Sequence, residues 1–529
     1  MHSSELFTKL QDPSVYGSKV EDVQIIQTHI SFVVLTGECV YKIKKPVSFG
    51  FLDFSTLEKR KYYCQQEVLL NKRLCPQLYL DVVAITDKDG VLSINGQGKP
   101  VEYAVKMKEF PQKALMSKLL SKNMIATEHI DKICKRLIDF YADQQPSQEV
   151  LAHGSLQGIR QNIDENFQQT KNMIGITITT DQWHSIKKSN ESFFSRCASV
   201  FKERVEQQKI KDCHGDLHSG NIVIEKDICI FDCIEFNTRF RYIDVASDIG
   251  FLAMDLDMAN HPFLSSYLVT LFVEKTNDVS LLTVLQFYKS YRAFVRGKVL
   301  GFTIQDKTIP AKTKKEMIAT AQQYFTLSSY YSQLFSFDYR NHPPLLFMVS
   351  GVTGTGKSTL AQKLSVDYHA THVNTDIIRK QQEGISEYTK VHEPFDTGLY
   401  ASEKRLQTYK ALVAEAEQLL LQGKNVVLDA TFQKQEYRQL VYDMVKGNKA
   451  LLFHVFCECD DSIAYERLTH RMKQKNVSDG RCEIYHKQKA NYDAFGVDEK
   501  LIRVDTGKES FEDRMQMYTN ILRSVLEVI

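Results

Sequence analysis

Leu345-Leu-Phe-Met-Val-Ser350 runs without a gap into Gly351-Val-Thr-Gly-Thr-Gly-Lys-Ser358 and then into Thr359-Leu-Ala-Gln-Lys-Leu364. The apolar run reads as a buried strand and the last run as a helix. The eight residues between them satisfy G-x-x-x-x-G-K-[ST] in full, in the strand–loop–helix setting that gives the pattern its meaning. Glycines let backbone N–H groups wrap a phosphate chain, and the helix start adds partial positive charge. Lys357 is expected to reach the β- and γ-phosphates of ATP, with the Ser358 hydroxyl on Mg²⁺. Gly351, Val352, Thr353, Gly354, Thr355, Gly356, Lys357, Ser358 and Thr359 are the expected nucleotide contacts.

Downstream, strand and helix patterns alternate, which predicts a parallel sheet covered on both faces. Asn425-Val-Val-Leu-Asp429 is a second buried strand ending in a carboxylate, and Asp429 is expected to hold the metal through water. Asp376 and Arg379 follow the strand-like Thr371-His-Val-Asn374, at the kind of strand end where ligands bind in α/β sheets. An Asp there can take a proton from an acceptor hydroxyl, and an Arg one turn later can grip an anionic substrate. A helix-capping Asp with a surface Arg is the plainer alternative. Arg467 and Arg471 fall at i, i+4 on a predicted helix, so they share one face, as suits a lid over phosphates or a solvated surface. The set GVTGTGKST, NTDIIRK, VVLDATF and RLTHR resembles the P-loop kinases of small molecules and polynucleotides, zeta-toxin-like kinases included. The resemblance implies phosphoryl transfer to a hydroxyl, with Asp376 as base and Arg467 or Arg471 in the lid. Arg438, just after DATF, is similar to another basic residue of that group, with no contact assigned.

Far upstream lies His214-Gly-Asp-Leu-His-Ser-Gly-Asn221, with Asp232 closing the strand-like Ile228-Cys-Ile-Phe231. The D-x-x-x-x-N spacing and the later Asp resemble the catalytic loop and metal-binding Asp of protein kinases, with H-G-D for H-R-D. On that resemblance Asp216 orients or deprotonates the acceptor hydroxyl, and Asn221 and Asp232 hold Mg²⁺ on the nucleotide. Val40-Tyr-Lys-Ile-Lys-Lys-Pro46 reads as a strand with Lys42 and Lys44 on one face. One of them should bind the α- and β-phosphates. Alignment with the family's similar strand favours Lys44, and Glu67 on a predicted helix is the expected ion-pair partner. Tyr103 to Phe110 reads as the hinge between lobes.

This half resembles the aminoglycoside phosphotransferase-like kinases. Arg241-Tyr-Ile-Asp-Val-Ala-Ser-Asp-Ile-Gly250 is similar to that family's helix after the metal site, with Asp244 and Asp248 expected to cap or brace the catalytic loop. The chain lacks a G-x-G-x-x-G loop, and Asp232-Cys-Ile-Glu235 stands where D-F-G would, which argues against protein substrates. Over its full length the chain resembles bacterial and archaeal fusions of such a kinase-like domain with a P-loop kinase.

The expected architecture is therefore a two-domain α/β protein. A bilobal protein-kinase-like α+β domain covers residues 1–340, with an N-lobe near 20–110 and a C-lobe from 111 to 340; a P-loop parallel-sheet domain covers 341–529. The boundary rests on His342-Pro-Pro344, where two prolines end the helical pattern that starts at Ala311. Glu128–Tyr141 and Glu191–Gln208 read as further helices.

Composition fits a soluble globular chain of 529 residues, 43% apolar and 25% charged. With 67 Lys+Arg against 65 Asp+Glu the net charge is only +2, which disfavours a nucleic-acid partner. No stretch nears the roughly 20 apolar residues that span a bilayer. The N-terminus lacks a charged-then-apolar leader pattern, so a cytoplasmic setting is expected. The eleven cysteines contain no C-x-x-C pair and are expected to be buried, reduced thiols.

Together these readings predict an ATP- and Mg²⁺-dependent phosphotransferase with two sites, each acting on a hydroxyl of a small molecule. A 5′-hydroxyl nucleic-acid kinase in the C-terminal part is one alternative; a domain that senses nucleotide without transfer is another.

Overall fold

A computed structural model describes residues 3–307, 309–337, 342–384, 402–472 and 482–529. It forms two compact units. One comprises Met1–Asn162 with Ala198–Asp255, the other Ile163–Cys197 with Leu256–Ile529.

In the first unit, alternating apolar residues build an antiparallel sheet. Its strands are β1 (Gln24–Gln27), β2 (Ser31–Leu35), β3 (Cys39–Lys44), β6 (Tyr79–Lys88), β7 (Val91–Ile94) and β8 (Lys99–Lys108). Their order is β1-β2-β3-β8-β6-β7. A small hairpin of β4 (Ser48–Phe49) and β5 (Leu52–Asp53) leads into the helix Leu57–Asn71. Thr56 caps that helix by accepting the Lys59 N–H, a bond that satisfies one of the otherwise orphaned first-turn donors. The helix packs against β8 and β6 and carries Glu67 to the sheet. The supposed hinge is mostly strand, since β8 continues to Lys108. Two short antiparallel pairs follow: β9 (Ile210–Asp212) with β12 (Tyr242–Asp244), and β10 (Ile222–Ile224) with β11 (Ile228–Ile230). The antiparallel sheet with its helix, followed by helices and these strand pairs, is a kinase-like α+β arrangement, as expected.

In the second unit, β13 (Leu345–Ser350), β14 (Ala370–Asn374), β15 (Asn425–Asp429), β16 (Leu451–Glu458) and β17 (Leu501–Asp505) form a wholly parallel sheet ordered β14-β15-β13-β16-β17. β13 is buried along all six residues, which is why its sequence is an unbroken apolar run. The chain leaves β13 for β14 on one side and reaches β16 on the other, so the strand order reverses beside the C-terminal end of β13. That switch point is where open α/β sheets bind ligands.

Two sequence expectations are revised. Glu191–Gln208 is not one helix: Thr180–Arg196 ends at Cys197, which leaves helical geometry at φ −109° and ψ 16°, and Ala198–Glu206 begins anew. No glycine or proline marks the break. Cys75 and Cys229 are joined in a disulfide, with Cα atoms 4.9 Å apart, inside the range such a bond requires. The other nine cysteines form no disulfide.

The helices Pro262–Thr276, Ser280–Thr303 and Ala311–Ser336 fall in the same unit as the parallel sheet. A buried charge network accounts for part of that grouping. Asp257 accepts hydrogen bonds from Lys289 Nζ and from the Tyr331 hydroxyl, each at 2.6 Å. Lys363, on the helix Lys357–Asp367, pairs with Asp367 at 2.8 Å and lies 3.9 Å from Asp257. Tyr330 and Gln286 donate to Asp367 at 2.7 and 3.1 Å. Burial alone would raise the Asp257 pKa, but Lys289, Lys363 and the hydrogen bonds outweigh it and hold the carboxyl below its ordinary value. Asp257→Ala leaves two buried ammonium groups without their shared partner. It is expected to destabilise this unit by about 3–5 kcal/mol, read by urea unfolding. Because the folded pKa is depressed, the wild-type contribution is complete above the unfolded value and fades as pH falls through the folded one.

Candidate functional sites

The first site is assembled within the first unit by β3, the helix Leu57–Asn71 and the loops around β10 and β11. Period-two geometry puts Lys42 and Lys44 on one face of β3, yet their depths differ: the side chains are 17% and 1% exposed. Lys42 Nζ lies 2.5 Å from Asp232 Oδ1 and 2.8 Å from Glu67 Oε1. Lys44 Nζ lies 2.6 Å from Glu67 Oε2, pairs with Glu235 Oε1, and sits over the Phe54 ring. The preference for Lys44 therefore meets a geometric objection: it is enclosed by two carboxylates and a ring, whereas Lys42 is the lysine beside Asp232. Burial would depress both ammonium pKa values, but the surrounding carboxylates more than compensate and hold both lysines protonated.

Asp216 and Asn221 meet in one loop, and the residue before Asp232 is tied to that loop, the Phe231 N–H donating to the Asn221 carbonyl at 2.9 Å. Asn221 Nδ2 donates to the Asp216 backbone carbonyl and to Asp216 Oδ2, each at 3.0 Å. His218 Nε2 lies 3.4 Å from the same carboxylate oxygen. Asp248 braces the loop as expected, accepting the N–H groups of His214 and Gly215 at 2.8 and 3.0 Å and the Tyr141 hydroxyl at 3.1 Å. Asp244 does not act on the loop in that way: it is buried against Arg204 in a two-pronged pair at 2.6 and 2.7 Å. Burial keeps His214 below its ordinary pKa, hence neutral, and its Nε2 meets the Phe231 carbonyl at 2.9 Å. Two residues here were missed in sequence. Asp255 accepts the Ser219 N–H at 2.8 Å, and Glu235 holds Lys44. Glu235 stands three residues past Asp232, which was the available signal.

The second site lies at the switch point of the parallel sheet. Asp429 is level with Val349 on β13 and with Asn374 on β14, so the P-loop, Asp429 and the Asp376 turn share one end of the sheet. Gly351 has φ +133°, and a Cβ there would fall 2.3 Å from the Cys457 carbonyl oxygen, so only glycine fits. Lys357 Nζ donates to the Val352 carbonyl at 2.8 Å. Thr353 N–H donates to Gln488 Oε1 at 2.8 Å, and the Thr355 hydroxyl to the Val352 carbonyl at 2.8 Å. Asp429 accepts from Asn374 Nδ2 at 2.6 Å and lies 3.3 Å from His372 Nε2. Burial pushes its pKa up, but His372, Lys357 and the Ser358 hydroxyl outweigh this and hold it below the ordinary carboxyl value.

Asp376 and Arg379 pair with each other at 2.8 Å, and Asn374 rather than Asp376 caps the helix Thr375–Gln382. The capping alternative for Asp376 is thereby answered. Arg467 lies beside the P-loop: it donates to the Thr506 carbonyl at 2.7 Å and to the Thr506 hydroxyl at 3.2 Å, and that hydroxyl donates to the Thr355 carbonyl at 2.7 Å. The side chain of Arg471 is outside the described residues. Arg438 is fully buried, bridged to Glu499 and donating to the Phe432 and Ala494 carbonyls at 3.1 and 2.9 Å. Its role is to hold the fold, not to face a ligand.

The oxygens of Asn221, Asp232, Ser358 and Asp429 are hard donors of the type that suits Mg²⁺. Among the described residues no cluster of three or more His, Cys, Asp or Glu forms a metal cage. Mg²⁺ commonly binds through one or two carboxylates plus substrate phosphates, so such a cage is not needed. No helix among the described residues is long and apolar enough to cross a membrane.

These features define a chain with a kinase-like unit and a P-loop α/β sheet. Residues 346–495 match the family model described as an AAA domain, a range that holds four of that sheet's five strands. Uncharacterized proteins of Mycobacterium tuberculosis and Mycobacterium bovis are each 26% identical over 464 residues, covering 87% of this chain and 88% of theirs. Among solved structures, a choline/ethanolamine kinase family protein from Mesorhizobium loti aligns at 10% identity and TM-score 0.37 over 63% of this chain and 99% of its own. A gluconokinase from Sinorhizobium meliloti aligns at 20% identity and TM-score 0.26 over 36% and 96%.

Proposed function

We propose that the protein is an ATP- and Mg²⁺-dependent phosphotransferase with two kinase-type sites, each passing a phosphoryl group to a hydroxyl of a small molecule. The N-terminal site belongs to a module of residues 1–340 and the C-terminal site to a module of residues 341–529. The observation that supports the reading is a lysine set beside a metal-type carboxylate in each unit, Lys42 on Asp232 in one and Lys357 acting on Asp429 in the other.

At the N-terminal site Lys42 neutralises phosphate charge and Glu67 orients it. Asp216 receives the proton of the acceptor hydroxyl, steadied by Asn221. Asn221 uses its amide nitrogen toward Asp216, which leaves its oxygen for a cation that Asp232 would also hold. At the C-terminal site the P-loop backbone and Lys357 cradle the phosphates, Ser358 and Asp429 would hold the metal, and Asp376 is the base. Arg379 orients that base and meets an anionic group of the acceptor, and Arg467 steadies the phosphate loop. Mg²⁺, when bound at either site, would offset charge on the transferring phosphates. The near-neutral net charge of +2 supports small acceptors over nucleic acid.

The test is a screen of pooled hydroxylated metabolites with ATP, Mg²⁺ and the intact protein, scored by mass for phosphorylated products. Products at both sites are expected, one set lost in Asp216→Asn and the other in Lys357→Ala. If neither substitution changed product formation or ATP turnover with any acceptor, the reading would fail.

A further inference from the structure

We infer that Glu235 is a positioning residue of the N-terminal site, acting through Lys44 to fix the Asp232 loop and to keep Lys42 in place for phosphate. The inference rests on the phosphotransferase reading of that site and adds to it a residue the motif does not contain.

Five side chains form a closed chain of charge: Asp232 to Lys42, Lys42 to Glu67, Glu67 to Lys44, and Lys44 to Glu235. The chain closes because Asp232 and Glu235 are only three residues apart. Glu67 is shared, giving Oε1 to Lys42 and Oε2 to Lys44. An ammonium as buried as Lys44, at 1% exposure, needs anionic partners, and one shared carboxylate would be drawn toward it. Glu235 supplies a second carboxylate, which leaves Glu67 able to serve Lys42.

The loop itself needs such an anchor. Asp232 has φ +64°, a left-handed conformation that non-glycine residues hold only when the surroundings fix it. Its carboxylate is 41% exposed, so packing does not set its direction. Backbone bonds hold the segment at its start, with the Asp232 N–H on the Tyr79 hydroxyl at 3.1 Å and the Cys233 N–H on Asn71 Oδ1 at 2.8 Å. Glu235, whose side chain is 5% exposed, pins the other end to β3. Residues that orient a metal-binding side chain from behind govern metal affinity without touching the metal.

The experiment measures binding of ATP as Mg²⁺ is titrated, by calorimetry, on the full-length protein carrying Lys357→Ala so that the N-terminal site is read. Glu235→Gln in that background is expected to raise the half-saturating Mg²⁺ concentration by about 10-fold, measured well below the lowered unfolding temperature, where the variant is still fully folded. Lys44→Met should have a similar effect. The double variant should be no worse than either single one, because both act through one pair. Glu235→Asp should recover part of the loss. Unchanged metal dependence in Glu235→Gln overturns the inference. So do additive losses in the double variant, or a loss of binding that merely follows a loss of folding. If Asp232→Asn binds Mg²⁺ and ATP as well as its parent, the phosphotransferase reading of the site falls too.

Discussion

Asp216→Asn is expected to lower turnover at the N-terminal site by about 10²–10⁴-fold, the usual range for loss of a positioned general base. The substitution preserves shape. Asn221 can still donate to the Asp216 backbone carbonyl, and Asp248 still holds the His214 and Gly215 N–H groups, so the loop keeps its course. What disappears is the negative oxygen that takes the proton. Lys42, Glu67 and Asp232 are untouched, so the KM for ATP should barely move while kcat falls. Initial rates against ATP at saturating acceptor separate the two. A wild-type kcat in the variant would mean that another group is the base, or that the hydroxyl needs none.

Lys357→Ala is expected to lower the C-terminal activity by about 10²–10³-fold, the scale of removing one preorganised charge at a transferring group. Lys357 is 9% exposed, and its ammonium lies against its own loop, on the Val352 carbonyl. Its loss removes a cation that helps hold Asp429 ionised. Two effects then act together: the phosphates lose a clamp, and the Asp429 carboxyl moves back toward its ordinary pKa. Rates for the two product sets, followed side by side by mass, check this. The products lost in Asp216→Asn should persist at wild-type rates. Loss of both sets would signal a folding defect rather than a lost contact.

Much of this was legible in the sequence because some functions require contiguous residues. β13 and the loop after it form one uninterrupted pattern, and β15 ends at Asp429 where an apolar run meets a carboxylate. The loop from His214 to Asn221 likewise packs its chemistry into eight residues. Depth was not legible. Lys42 and Lys44 share a face of β3, and the approach of Phe54 and of the segment bearing Glu235 decides which is enclosed. Pairings between distant residues were also hidden: Cys75 and Cys229 lie 154 residues apart. Arg438 could be given no contact from the sequence because its partners lie elsewhere in the chain. One carbonyl partner, Phe432, precedes it by six residues, while Ala494 and Glu499 lie more than fifty residues later. The inclusion of Pro262–Thr276 and its neighbours with the parallel sheet depends on buried charges such as Asp257 and Lys363, which a sequence reader assigns by default to the surface.

Thr506 belongs to no recognisable motif, yet its hydroxyl bonds to the carbonyl of Thr355, 151 residues earlier, and its carbonyl receives Arg467. The glycine-rich turn is therefore stitched to the tail of the chain. Eight consecutive letters specify which atoms can meet a triphosphate, but the stiffness with which they are held is borrowed from the last strand. A truncated protein that kept every signature residue would still have a slack cradle.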